Sequence, residues 1–572
     1  MINTPNKLPE LLAPAGSREA LESALRAGAD AVYLGGKQFN ARMNASNFDD
    51  AELAAAVERA HKCGAKLYVT LNTLILEREY KAALDYVARL WNSGVDALIA
   101  ADLGLCREIA LNFPDFPLHA STQAGVHNAE GAKALAKLGF ERVVAARELS
   151  RENLQAIIDT GIETEIFVHG ALCVSHSGQC LFSSLVGGRS GNRGECAQPC
   201  RLAYNKDSYP LSLKDNCLAG HITEIIASGA ASLKIEGRMK SPDYVYAVTS
   251  VWRRLLDEGR NAADAEISDL AAVFSRSGFT DGYYTSKIGI HMNGIRSESD
   301  KKATRRAKIK PYQPSPREAV TLPERKPIAP ELHDDGLKKK KTPQNHILTA
   351  RFYDPASIPK EHPFKTVYLP LECYDPAKAN GVMIPPVVTD IEYPAVREAL
   401  MAAAEAGAKR ALVGNIGHLQ LALDAGLIPV ADFRIGGYSA QTVEVLSEMG
   451  FASAILSPEL TAVQMRDIRG IKGAVVYGRI PLMLLEKRLN LRMLTDRRGI
   501  RFPVIREGGR DLVLNSNPTY MADRKKLLDT AGIAERHFIF TTEDRRAVED
   551  IIKAYKEGRP AQNQNIRRIR EK

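Results

Sequence analysis

ELLAPAGSREALESALRAGADAVYLGG (10–36) reads as strand, helix, strand. Two short apolar runs flank a stretch whose apolar residues recur at helical spacing. The same unit repeats outward along the chain. KLYVTLN (66–72), ALIAADLG (97–104), PLHASTQ (117–123), RVVAARE (142–148), EIFVHGA (165–171) and SLKIEGR (232–238) bring the apolar runs to eight. Near-continuous apolar strands alternating with helices imply a parallel sheet, and eight units imply a closed barrel. A doubly wound open sheet is the alternative, but no Gly-rich dinucleotide fingerprint follows the first strand. The expected fold class is therefore α/β, with an N-terminal (β/α)8 TIM-like barrel over residues 1–300.

Residues 301–345 differ in composition. They hold seven prolines and 13 Lys/Arg against 5 Asp/Glu, with the run Lys338–Lys341. Such a stretch buries little apolar surface and reads as a basic linker. Alternation then resumes over 346–560 as an internal repeat. Leu138-Gly139-Phe140 matches Met449-Gly450-Phe451, Glu148-Leu149 matches Glu459-Leu460, and Val168-His169-Gly170 matches Val476-Tyr477-Gly478. The second half is thus expected to be a degenerate α/β barrel-like copy, followed by a basic tail (561–572). Where the first copy has Cys173 the second has Pro481.

The 572 residues carry a net charge of +9, which suits a polyanionic partner such as RNA. The longest apolar runs are too short for a membrane span, and the start lacks a basic region followed by an apolar stretch. A cytoplasmic location is expected. Eight cysteines in such a chain argue against structural disulfides. Four of them, Cys173, Cys180, Cys196 and Cys200, fall within 28 residues, spaced C-x6-C, fifteen residues, C-x3-C. Paired C-x2-C zinc knuckles are absent. Thiolates at this wider spacing across a Gly-rich loop suit an iron–sulfur cluster better than zinc. Cys217 is an alternative fourth ligand in place of Cys200.

Chemistry in a barrel sits where the strands end. His169, Glu148 and Glu236 are candidate acid/base groups there. Lys234 and Arg238 alternate with Glu236 and would anchor an anionic carboxylate or phosphate. Arg42, Asn44 and Asn47 in FNARMNASNF, with Asn72 and Gln123, are candidate substrate contacts. His176, between two of the cysteines, suits support of a cluster. An ion-pair network for the charged trio, and turn chemistry for the asparagines, stand beside these readings.

ELLAPAGS, GADAVYLGG, ARMNASNF, EIFVHGALCVSHSGQC, NRGECAQPCR and SLKIEGRMKSPDYV together resemble the peptidase U32 family over roughly residues 8–290. GGKQFNARMNASNF and LHASTQ are most similar to its branch of large-subunit rRNA cytidine and tRNA uridine 5-hydroxylases. That resemblance implies an oxygen-independent RNA hydroxylase with a [4Fe–4S] cluster on Cys173, Cys180, Cys196 and Cys200 and prephenate as co-substrate. The family name carries the competing expectation of a collagenase-like peptidase. Against it, the sequence has no nucleophile elbow, no HExxH and no evident Ser–His–Asp set. A third reading is a non-catalytic scaffold stapled by the cluster. The oligomeric state is left open.

Overall fold

A computed structural model describes residues 8–43, 45–307, 311–321, 325–333, 346–562 and 565–571. Strands β1 (Glu10–Pro14), β2 (Ala31–Gly35), β3 (Lys66–Leu71), β4 (Ala97–Ala100), β5 (Leu118–Ala120), β6 (Arg142–Val144) and β7 (Glu163–Ala171) pair in parallel, in chain order. After β8 (Asp215–Cys217), which runs antiparallel to β7, β9 (Ser232–Ile235) pairs with both β7 and β1 and closes an eight-stranded barrel. A short β10 (Phe279–Thr280) extends the sheet beside β8. Most of the helices that follow these strands begin with a side chain that accepts an orphan backbone N–H. Ser17, Asp49, Asp102, Asn128, Ser150 and Ser241 do this in turn. Leu12, Tyr33, Tyr68 and Ile99 fill the barrel interior. Beneath them Arg142 joins Glu10 and Glu165, and Lys234 donates to Glu165 at 2.6 Å.

The second half is a second closed barrel. β11 (Ile347–Phe352), β12 (Thr366–Pro370), β13 (Gly381–Met383), β14 (Arg410–Val413), β15 (Ile428–Ala431), β16 (Ser453–Ile455) and β17 (Lys472–Gly478) run in parallel, and a final strand closes on both β17 and β11. Before that strand comes an antiparallel sheet of β18 (Pro481–Leu485), β19 (Met493–Thr495), β20 (Arg501–Glu507) and β21 (Arg510–Leu514), then β22 (Thr519–Tyr520) and the closing β23 (Glu535–Phe540). Where the first barrel keeps a cavity, the second packs Tyr368, Met383, Leu412 and Val430 and adds a set of matched buried charges. Arg351 donates to His537 and to Asp432, and Arg434 pairs with Asp432 and Glu507.

The barrels meet at the ends of their strands. Asn415, beyond β14, donates to the carbonyl of Gly125, beyond β5. Asn128 donates to Val388, and Tyr80 shares a hydrogen bond with Ser439. The β18–β21 sheet reaches furthest: the backbone amides of His176 and Leu181 donate to the carbonyls of Leu484 and Leu482. Leu172, Val174, Phe182 and Tyr204 from the first half bury against Leu482, Met483, Leu494 and Phe502 from the second.

The stretch read as a solvated linker is not free where it is described. Arg317 donates to the carbonyls of Gly28 and Ala29 and pairs with Asp30. Arg325 donates to Val95 and lies over the Trp91 ring. Glu331 and Asn112 hydrogen-bond each other. The segment therefore straps the underside of the first barrel, satisfying carbonyls at successive helix ends. The basic tail is likewise engaged: Arg568 pairs with Asp523, and Arg567 and Arg570 donate to backbone carbonyls.

Candidate active site

A cavity of about 430 Å³ opens at the strand ends of the first barrel. Cys173, Cys180, Cys196 and Cys200 all line it. They ride on the long loop between β7 and β8, whose outer side rests on β18. Gln198 takes a left-handed conformation (φ +54°), which turns its amide onto the Cys196 sulfur at 3.3 Å. Ser183 Oγ points at the same sulfur from 3.8 Å and accepts from the amide of Ala197. Burial pushes the thiols of Cys173 and Cys180 up, and that of Cys200 to about 12, with neighbouring thiols adding to each shift. Such thiols ionise when a cation takes the proton's place. Among the described residues no three of these sulfurs lie within 4.8 Å of one another. In a tetrahedral site with metal–sulfur bonds of about 2.3 Å they would be closer than that. Cys217 does not join them. It sits buried on β8 opposite His169, away from the cavity, its thiol pushed to about 12 by burial.

The rest of the wall is cationic. Glu236 lies between Arg42 (3.5 Å) and Arg147 (3.3 Å). Burial opposes its charge, but those two guanidiniums hold it below the usual carboxylate range. Arg238 is buried and donates to Thr70 Oγ1 (2.7 Å) and Asn40 Oδ1 (3.1 Å), both neutral. Burial lowers it to about 10. Lys240 stands over the Phe274 ring, and burial brings it down to about 7. Lys234 lines the floor but is already paired with Glu165 and packed over Tyr33. Asn72 accepts from the amide of Ala41 and donates to Ser121, and Gln123 lines the same wall. Arg147, Lys240, Asn40 and Thr70 complete the site. Lys240 had a signal in the sequence, since GRMK places it two residues beyond Arg238.

Three residues expected at the site lie elsewhere. His169 is buried with neither ring nitrogen hydrogen-bonded, among the rings of Tyr244, Trp252 and Phe279. A β-bulge between Phe167 and His169 turns it to the outside of the barrel, and burial drops it to about 3, so it is neutral. It does not line the cavity. Glu148 also misses the cavity. It receives the amide of Ser177 (3.0 Å) and lies 2.8 Å from His176 Nδ1 and 3.1 Å from His127 Nε2. Burial opposes its charge and the two imidazoles hold it well below the ordinary range. It pins the cysteine loop. Asn47, at φ +50°, donates to the carbonyls of Arg42 and Ala45, so it shapes the loop that carries Arg42. Asn44 lies outside the described residues.

Residues 16–293 match the sequence profile of peptidase family U32. A stretch of 286 residues is 42% identical to the 23S rRNA 5-hydroxycytidine synthase of Escherichia coli, covering 48% of this chain and 42% of that protein. The tRNA hydroxylation protein P1 of Bacillus subtilis is 40% identical over 271 residues, covering 44% of this chain and 64% of that protein. The chain thus spans less than two thirds of the length of these two relatives. A collagenase of Porphyromonas gingivalis is 33% identical over 306 residues, covering 48% of this chain and 73% of that protein. With nearly three quarters of such a relative aligned at that identity, and its four cysteines gathered on one cavity, this chain belongs to peptidase family U32.

Proposed function

We propose that this chain is an RNA base hydroxylase that modifies a cytidine or uridine at the 5 position. In this reading Cys173, Cys180, Cys196 and Cys200 hold a [4Fe–4S] cluster, and a dicarboxylate of the prephenate type binds beside it. The observation that carries the reading is that four thiols and an excess of cations share one cavity. When bound, the cluster supplies Lewis-acidic, redox-active iron at the cavity wall. The Gln198 amide and the Ser183 hydroxyl aimed at Cys196 would stabilise negative charge on that sulfur. Arg238, whose partners are neutral, and Lys240, which has no carboxylate of its own, anchor a carboxylate. Arg42 and Arg147 hold Glu236 as a hydrogen-bond acceptor facing the cavity, where it can receive an amino or hydroxyl group of the substrate. RNA as substrate is what the printed names of the relatives from Escherichia coli and Bacillus subtilis describe for those proteins.

A peptidase reading meets a specific obstacle. The histidine that lines the cavity, His176, has its ring nitrogens on Glu148 and Glu486, so it is not free to activate a nucleophile. A scaffold has no use for unneutralised cations in a cavity, since they cost stability.

The test is oxygen-free purification with iron and sulfide analysis, joined to mass spectrometry of rRNA and tRNA nucleosides from a deletion strain. About four irons per chain are expected, lost in Cys200→Ala and retained in Cys217→Ala. A colourless, iron-poor wild type, or unchanged hydroxycytidine and hydroxyuridine in the deletion strain, would refute the proposal.

A further inference from the structure

The net positive charge of this chain has to sit somewhere useful if RNA is the partner. The linker and tail were the natural places to look, and several of their described arginines are spent inside the molecule, although Arg305 and Arg306 stay exposed. Arg317 and Arg325 serve helix-end carbonyls, and Arg568 serves Asp523. One group of exposed cations gathers on the β18–β21 sheet and its loops. Arg488, Arg492, Arg497, Arg498 and Arg501 are all exposed, and none makes an ion pair. The acid among them, Asp496, is consumed by its own turn: one oxygen accepts from the amides of both Arg498 and Ile500. The turn closes with Gly499 at φ +80°, and Arg497 and Arg498 on it are exposed.

One face of the same sheet is apolar and covers the cysteine loop. Leu494 and Phe502 are buried with Phe182 and Tyr204, and the Phe502 ring lies 5.0 Å from that of Phe182. Met483 lines the cavity itself. Asn205, five residues past Cys200, exchanges hydrogen bonds with Thr495 at the foot of the arginine turn. One small sheet thus seals the cysteine loop with its apolar face, and its loops and edge carry five exposed arginines without an ion pair. Charges on a sheet edge also deter pairing with another chain. That does not account for Arg488, Arg492, Arg497 and Arg498, which lie outside the strands.

We infer that this arginine surface docks the RNA backbone and delivers an unpaired segment to the cavity. The RNA partner rests on the hydroxylase reading above; the location of the surface rests on the sheet. Guanidiniums suit phosphate because their planar forks match its oxygens. Guanidiniums strung along one hairpin suit a contact with the phosphate backbone that leaves target choice to the cavity.

The test compares the full-length protein with the joint variant Arg492→Gln, Arg497→Gln, Arg498→Gln and Arg501→Gln. A control variant carries Arg546→Gln, Lys553→Gln and Lys556→Gln on the outer helix Arg545–Glu557. Binding of total tRNA and of an rRNA fragment is titrated from low to high salt. Each lost phosphate contact removes about 0.7 from the log–log salt slope for a single strand. The joint variant should flatten the slope by about 3 and weaken binding at least tenfold at about 0.1 M salt, while the control stays close to wild type. An unchanged slope, an equal loss in the control, or binding to phosphatidylserine vesicles in place of RNA would overturn the inference. Arginine-dependent binding by a wild type that leaves no hydroxylated nucleoside would instead sink the hydroxylase reading and leave the docking surface standing.

Discussion

Glu486→Gln probes the junction between the two barrels. The Glu486 carboxylate accepts from Arg510 Nε at 2.6 Å and lies 3.0 Å from His176 Nε2, so it ties the cysteine loop to the antiparallel sheet. Burial pushes its pKa up, yet His176 and Arg510 bring it from the ordinary 4.5 to about 2. At 1.36 kcal/mol per unit, the folded state favours the ionised form by about 3 kcal/mol. The folded pKa is depressed, so this stabilisation is present above pH ~4.5 and is lost as pH falls toward 2. Urea unfolding of wild type and variant should differ by about 3 kcal/mol at pH 7 and by little more than about 1 kcal/mol at pH 3. The difference cancels the other carboxylates that titrate in this range. If the sheet releases the loop before the barrels unfold, the same trend appears in amide exchange at His176 and Leu181, whose N–H groups cross the junction. Equal stabilities at pH 7, or a difference that does not shrink in acid, would refute the claim that this carboxylate holds the junction.

Binding of a dicarboxylate to the free protein should weaken as pH rises through about 7, where Lys240 loses its proton; Lys240→Met should abolish that step in a calorimetric titration. A Cβ at Gly35 would stand 2.3 Å from Arg238 Nη1 and 3.0 Å from Asn40 Cγ. Gly35→Ala should therefore displace the anchor and raise the dicarboxylate Kd roughly tenfold, about 1.4 kcal/mol; unchanged affinity in a folded variant would exonerate Arg238. His169→Leu removes two buried nitrogens without partners. It should raise stability by about 1 kcal/mol and leave RNA hydroxylation intact, whereas a folded but inactive variant would restore His169 to the chemistry.

Both barrels were legible because their strands are buried on both faces and read as unbroken apolar runs such as AVYLGG and KLYVTL. That Cys173, Cys180, Cys196 and Cys200 gather on one cavity was foreshadowed by their falling within 28 residues. His169 was misread because the end of a strand was taken to point inward, and a bulge reverses that. Its counterpart in the repeat held the clue. Tyr477 follows a bulge of its own, Gly478 has positive φ as Gly170 does, and Tyr477 packs among Phe538, Phe540 and Tyr555. An aromatic at that position marks a packed outer layer rather than a reactive one. Glu148 looked catalytic because a carboxylate at a strand end is the usual sign, but its partners come from His127 and from a loop that no local pattern brings near. The antiparallel sheet was hidden for a related reason. Leu482, Leu494 and Phe502 bury against residues about 300 positions earlier, and such a contact leaves no period in either segment.

The strap beneath the first barrel bears on how the two halves can be separated. Judged by composition, the seam falls near residue 300. A fragment ending there would strip the guanidiniums from the carbonyls of Gly28, Ala29 and Val95 and uncover the indole of Trp91. Its insolubility would then be mistaken for dependence on the second barrel. A cut placed after residue 333 keeps the first half clothed and makes its need for a partner a fair question.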